Sequence, residues 1–150
     1  MKECEKIMFF EDLKLGMSVE TEPVTITKEK MLRFAREYDH IPLHTDEDYA
    51  KGTIFGALIA PGVMSFMAVW DRYLDKTFFG DELIAGKSTK IEWAKPVYAD
   101  DTLSGKVEIC GLERRKRNGL VTVSVEVYNQ KGELVLTNVT ESVVKCREAN

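Results

Sequence analysis

The segment Gly62-Val63-Met64-Ser65-Phe66-Met67-Ala68-Val69-Trp70 constrains the fold more than any other stretch, because wound as a helix it is apolar on every side except at Ser65. A helix greasy all round has to be surrounded by other structure. That surrounding is not expected to be lipid, since no part of the sequence approaches the roughly 18 to 20 continuous apolar residues that span a bilayer. Polarity returns at Asp71, Arg72 and Asp75, so a long helix over about 62–75 should emerge toward solvent after its first turns. Beyond Gly86 the hydrophobic period changes to two, which predicts strands near 87–95, 102–113, 120–129 and 133–145. Turn chemistry lies between them at Asp100-Asp101, Asn118-Gly119 and Lys131-Gly132. Val121, Val123, Val125 and Val127 alternate with Thr122, Ser124, Glu126 and Tyr128, as in a half-buried antiparallel strand. A buried helix followed by an antiparallel meander reads as an α+β domain whose curved sheet wraps or covers that helix.

Upstream the organisation is helical. Thr27 is placed to cap a helix reaching about Tyr38, whose apolar face is Met31, Phe34, Ala35 and Tyr38. Pro42 should end any continuation, since it removes a backbone donor and clashes with the preceding turn. Residues 39–45 are then expected to be loop. Asp46 can cap a short helical turn through Tyr49 and Ala50, and Gly52, Gly56 and Pro61-Gly62 mark a second irregular stretch. No repeat or linker divides the 150 residues, so one domain over 1–150 is expected.

A net charge of −4 argues against nucleic acid as a partner, because phosphate binding needs a basic field. The one basic run, Arg114-Arg115-Lys116-Arg117, reads either as a solvated hairpin end or as a surface that meets the phosphates of a large anionic substrate. Cys4, Cys110 and Cys146 are far apart and odd in number, which indicates neither a disulfide framework nor a zinc site. The first ten residues lack the pattern of a secretory signal, and the expected location is the cytoplasm, away from the membrane.

Chemistry concentrates in Tyr38-Asp39-His40-Ile41-Pro42-Leu43-His44-Thr45-Asp46, which holds both histidines of the chain. His40 and His44 are four apart, but Pro42 between them breaks the helical face that a metal pair would need, and no further ligand set stands nearby. Two readings remain open from the residues alone. In one, Asp39 closes a turn, His44 bonds to backbone and the glycines serve loop geometry. In the other, Asp39 and His44 converge on one small molecule, such as a water, and move protons near neutral pH.

Phe34-Ala35, Asp39, Pro42, His44, Asp46, Tyr49-Ala50, Phe55-Gly56 and Ile59 to Gly62 resemble the hydratase motif of MaoC-like dehydratases and R-specific enoyl-CoA hydratases. Ile91 to Val97, Asp101-Thr102-Leu103 and Asn129 to Glu133 are similar to the strands and turns that follow in that family. The resemblance implies a hot-dog fold, a curved antiparallel sheet around one long central helix, assembled as a homodimer or higher homo-oligomer. It implies an acyl-CoA or acyl-carrier thioester substrate, with no soluble cofactor and no metal. It also implies R-specific addition of water across the double bond of a trans-2-enoyl thioester, or the reverse. Asp39 would be the general base on water, His44 would orient that water and relay the proton, and the Gly62 amide would hold the thioester oxygen. Met64, Phe66, Met67 and Trp70 are candidates to wall an acyl tunnel as well as to pack the core.

The chain departs from the family pattern at Ile41, where an Asn usually precedes the proline, and at Pro61, where a His often precedes the glycine. A hot-dog thioesterase is the alternative enzyme. It would place a carboxylate on or just before the central helix, where Ser65 is the only early polar residue and Asp71 the first acid. A non-catalytic acyl-thioester-binding subunit is the other alternative, with Ile41 marking a decayed site.

Overall fold

The computed structural model describes residues 9–75 and 82–147, so Cys4 lies outside the described residues. Two three-residue strands, β1 (Ser18–Glu20) and β2 (Val24–Ile26), precede the first long helix and correct the expectation of a purely helical start. Both pair with the same later strand, and the chain between them holds Pro23, which has no N–H to give to a ladder. Thr21 bridges the gap, its amide donating to the Gly105 carbonyl at 2.9 Å and its hydroxyl accepting from the Gly105 amide at 2.8 Å.

Helix α1 (Lys28–Tyr38) starts where Thr27 accepts the Lys30 amide and buries Met31 and Ala35. Pro42 does not lie in a loop: it opens a one-turn helix, α2 (Pro42–Thr45). At the first helical position the missing N–H would have been unpaired anyway, and the fixed φ suits the helix. Asp46 accepts the Tyr49 amide and caps α3 (Glu47–Lys51). After an irregular stretch, α4 (Gly62–Asp75) runs over the range expected for the central helix.

Four long strands follow: β3 (Leu83–Trp93), β4 (Asp101–Arg114), β5 (Asn118–Tyr128) and β6 (Leu134–Lys145). The sheet is antiparallel, in the order β1-β4-β5-β6-β3, with β2 also on β4. Register shifts at Leu83/Ala85, Gly86/Ser88, Ile109/Gly111 and Val127/Tyr128 are bulge-like irregularities of the kind that curve a sheet. α4 packs against β2, β3 and β4. Its Met64, Phe66, Val69 and Tyr73 join Val107, Ile109, Val121, Val123, Val125 and Val127 in one buried cluster. The valine row of β5 is the buried face that its alternation predicts.

Within one chain α4 is not buried all round, since Val63, Met67 and Leu74 are 42–47% exposed. The β4–β5 turn also differs from expectation. Arg115 and Asn118 close it, so Lys116-Arg117 form the turn and Asn118-Gly119 begin β5. Gly119 serves a different need, because a Cβ there would lie inside the Phe10 ring.

The strand ends are tied to the chain's start. Arg147 grips Asp12 through two nitrogens at 2.9 and 2.8 Å and lies 4.7 Å from the centre of the Phe9 ring, and its amide donates to Glu11 at 2.9 Å. The Arg147 guanidinium, helped by the Phe9 amide, holds the Asp12 carboxyl below its ordinary value of 3.8. The Arg147 amide, with Arg114, holds Glu11 below 4.5. A depressed carboxylate stabilises the fold above its unfolded pKa and loses that contribution as pH falls through the folded value. Arg147→Ala is therefore expected to lower Tm slightly at neutral pH and hardly at all at about pH 2. Thermal unfolding at both pH values checks this, and an equal loss at both would mean that ion pairing is not the tie.

Candidate active site

The C-terminus of α1 and the single turn of α2 bring Asp39 and His44 together. Asp39 is the C-cap of α1, its amide donating to the Ala35 carbonyl at 2.8 Å, and this aims the carboxylate across the short link toward α2. The His44 amide donates to the Ile41 carbonyl at 3.0 Å, which fixes the turn that carries the imidazole. Asp39 Oδ2 then stands 3.5 Å from His44 Nε2. The histidine side chain is almost wholly buried, whereas the aspartate is 42% exposed.

The other ring nitrogen decides the tautomer. His44 Nδ1 is 2.8 Å from the Ile59 carbonyl oxygen. A carbonyl can only accept, so Nδ1 carries the proton and donates. In the neutral ring Nε2 therefore presents a lone pair toward the carboxylate. Two acceptors cannot hydrogen-bond to each other, and one water could donate a hydrogen to each.

Ile59 is held in place by its own cross-links. It forms an isolated antiparallel bridge with Tyr98, the Ala60 amide donates to the Val97 carbonyl at 2.8 Å, and the Tyr98 hydroxyl donates to the Phe55 carbonyl at 2.9 Å. Gly56, at φ 74°, turns this loop through a backbone region that other residues rarely adopt.

A cavity of about 420 Å³ opens beside His44, a size suited to a small-molecule group. Leu43, Phe55, Ile59, Pro96 and Val97 give it apolar walls, and Gly62 and Ser65 contribute one face of α4. Trp93, Lys95 and the small Ala60 and Ala94 complete it, Lys95 being the one formally charged side chain among the described lining residues. Lys95 is half exposed and 3.8 Å from Glu133. The structure thus places His44 and Gly62 around one cavity, with Asp39 reaching it through His44 rather than lining it. Met64 and Phe66 are in the core, and none of the proposed tunnel residues of α4 lines the cavity.

Trp93 escaped the reading of the sequence as a site residue. Its indole lies so close to Gly62 that a Cβ there would overlap the ring. Glycine at 62 thus has a steric reason in addition to its place at the first turn of α4, where backbone amides are unpaired and the helix dipole favours negative charge. His40 and Ile41 are exposed. Asp71, the first acid of the central helix, is 71% exposed beside Arg72 and lines no part of the cavity. The basic run also lies away from it. Trp93 pairs with Leu136, whereas Asn118, just after the basic turn, pairs with Lys145, nine residues or about 30 Å along β6.

Known proteins resemble the chain in sequence and in fold. A family model described as a MaoC like domain matches residues 11–131. An uncharacterized Bacillus subtilis protein, YdeM, is 32% identical over 126 residues, 83% of this chain and 89% of that one. The (R)-specific enoyl-CoA hydratase of Rhodospirillum rubrum is 31% identical over 110 residues, 73% of this chain and 74% of that one. Among solved structures, a monoamine oxidase regulatory protein from Archaeoglobus fulgidus matches with a TM-score of 0.87 at 31% identity, over 95% of this chain and 97% of that one.

Proposed function

The chain belongs to the MaoC-like family and has its hot-dog fold, and from that premise we propose that it adds water to trans-2-enoyl thioesters to give R-3-hydroxyacyl thioesters, or runs the reverse dehydration. The observation that carries this reading is the placement of two acceptors, Asp39 Oδ2 and His44 Nε2, 3.5 Å apart beside an apolar cavity. One water can give a hydrogen to each. Asp39 takes a proton from that water as its oxygen bonds C3, the C2=C3 electron pair moves toward the thioester carbonyl, and the proton returns to C2 with His44 relaying it. Negative charge develops on the carbonyl oxygen, and the Gly62 amide at the positive end of α4 is the donor for it. Lys95 offers a cation to the anionic head group of a CoA or carrier thioester. The exposed position of Asp71, away from the cavity, disfavours the thioesterase reading, which commonly uses a carboxylate on or just before this helix.

The test is loss of enoyl-thioester absorbance on adding the protein to crotonyl-CoA and longer trans-2-enoyl-CoAs, with free thiol followed in parallel. Enoyl loss without thiol release supports hydration. Thiol release would replace it with thioester hydrolysis, and binding without turnover of CoA or carrier substrates would replace it with a binding role.

We also propose that the protein is a cytoplasmic single-domain enzyme working at least as a homodimer. No helix among the described residues is long and apolar enough to cross a membrane. β3 stands at the end of the sheet order, and Val63, Met67 and Leu74 form an exposed apolar stripe along α4. An edge strand with no outer neighbour among the described residues, together with such a stripe, favours self-association. Light scattering at micromolar concentration should give at least twice the 17.1 kDa chain mass, and a monomer would overturn the assembly.

A further inference from the structure

Ser65 is 1% exposed, and its hydroxyl has no hydrogen-bond partner among the described residues. A helical serine can give its O–H to the carbonyl four residues back. Here that carbonyl, on Pro61, accepts the Ser65 amide at 3.3 Å, as in any helix, and the Ser65 hydroxyl does not bond to it. The buried Thr140 hydroxyl, by contrast, is fully used. Thr140 donates to Asn138 and Asn138 to Thr89, each at 2.7 Å, and Thr89 and Thr140 share a 2.8 Å bond that closes the ring. An unpaired buried hydroxyl is disfavoured against alanine at the same place.

Its position suggests what it is for. Ser65 lies three residues after Gly62, on the same face of α4, and both line the cavity beside His44. Among the described residues whose buried polar atoms lack partners, Ser65 is the one lining that cavity. We propose that the Ser65 hydroxyl is a second donor to the thioester carbonyl oxygen, beside the Gly62 amide. This deepens the hydratase reading and rests on it for the identity of the ligand. Ser65 exchanges no proton in the reaction; it holds the oxygen while negative charge develops there. No described protein group competes for the hydroxyl, so it can meet the oxygen without first breaking an intramolecular bond.

The test pairs kinetics with spectroscopy. Ser65→Ala is expected to lower kcat for crotonyl-CoA by about 10²-fold, with KM little changed and Tm undiminished. In infrared difference spectra of carbonyl-labelled crotonyl-CoA, the thioester band should lie lower bound to Asp39→Asn than to Asp39→Asn/Ser65→Ala. Wild-type-like kcat in Ser65→Ala, or one band position in both backgrounds, overturns the Ser65 contact while hydration stands. If the wild type binds but does not turn over enoyl thioesters, a Ser65-dependent band supports the contact while hydration falls. Failure to bind crotonyl-CoA at all overturns the contact.

Discussion

The Asp39→Asn variant is expected to bind enoyl thioesters with near-native affinity and to lose about 10² to 10⁴ in kcat, the usual range for a positioned acid/base group. Asparagine keeps the shape of the side chain and exchanges one acceptor oxygen for an NH₂ that cannot take a proton. The 3.5 Å gap to His44 Nε2 makes the substitution informative. With the neutral imidazole both groups of the native pair are acceptors, and a water between them would be held by its own two hydrogens. In the variant the amide could donate directly to Nε2 or bind water in the opposite sense, so the water loses its base and its orientation together. The fold should be untouched, because Asp39 joins α1 through its backbone amide and its side chain is partly exposed. A variant with unchanged Tm, unchanged thioester affinity and near-native kcat would show that Asp39 is not the base. Loss of affinity in step with kcat would instead place Asp39 in substrate binding.

How far the sequence foretells this arrangement differs from element to element, for physical reasons. α4 is legible because Pro61-Gly62 marks its start and a helix apolar on every side has few places to go. β4, β5 and β6 are legible because one face is buried and the other is not, which is what a period of two reports. β3 is displaced from its expected start because nearly all of it is exposed in a single chain, leaving little alternation to read. β1 and β2 have three residues each around Pro23, too few for any period. Pro42 misleads because the same residue that breaks a helix interior is favoured at a helix start. Asn118-Gly119 misleads because the glycine answers to Phe10 rather than to a turn.

The site divides in the same way. Asp39 and His44 are near in sequence, and their pairing follows from one turn of helix between them. The bond that sets the imidazole's tautomer comes from Ile59, fifteen residues away, and exists because the loop is pinned to Tyr98. No local pattern reports such a contact. The vacant hydroxyl of Ser65 and the placement of Trp93 over Gly62 are likewise products of tertiary packing.

Gly62→Ala should be the most damaging small change to that packing. Left-handed geometry is not the reason, since the positive-φ glycines among the described residues are Gly16, Gly56 and Gly132. The reason is the Trp93 indole, which occupies the space of the new methyl, so either the ring or the first turn of α4 must move. Overpacking of this kind typically costs about 1–3 kcal/mol, and here it displaces a cavity wall and the helix terminus that lines the cavity. Alanine retains the backbone amide, so any loss of turnover reports position rather than a missing donor. Trp93→Ala alone should enlarge the cavity and weaken binding. In Gly62→Ala/Trp93→Ala the methyl has room, and both Tm and kcat/KM should lie close to those of Trp93→Ala, a non-additivity that only a direct clash produces. A Gly62→Ala protein with native Tm and rate would mean that the indole yields freely. A double variant worse than either single one would mean that the glycine is needed for something other than space.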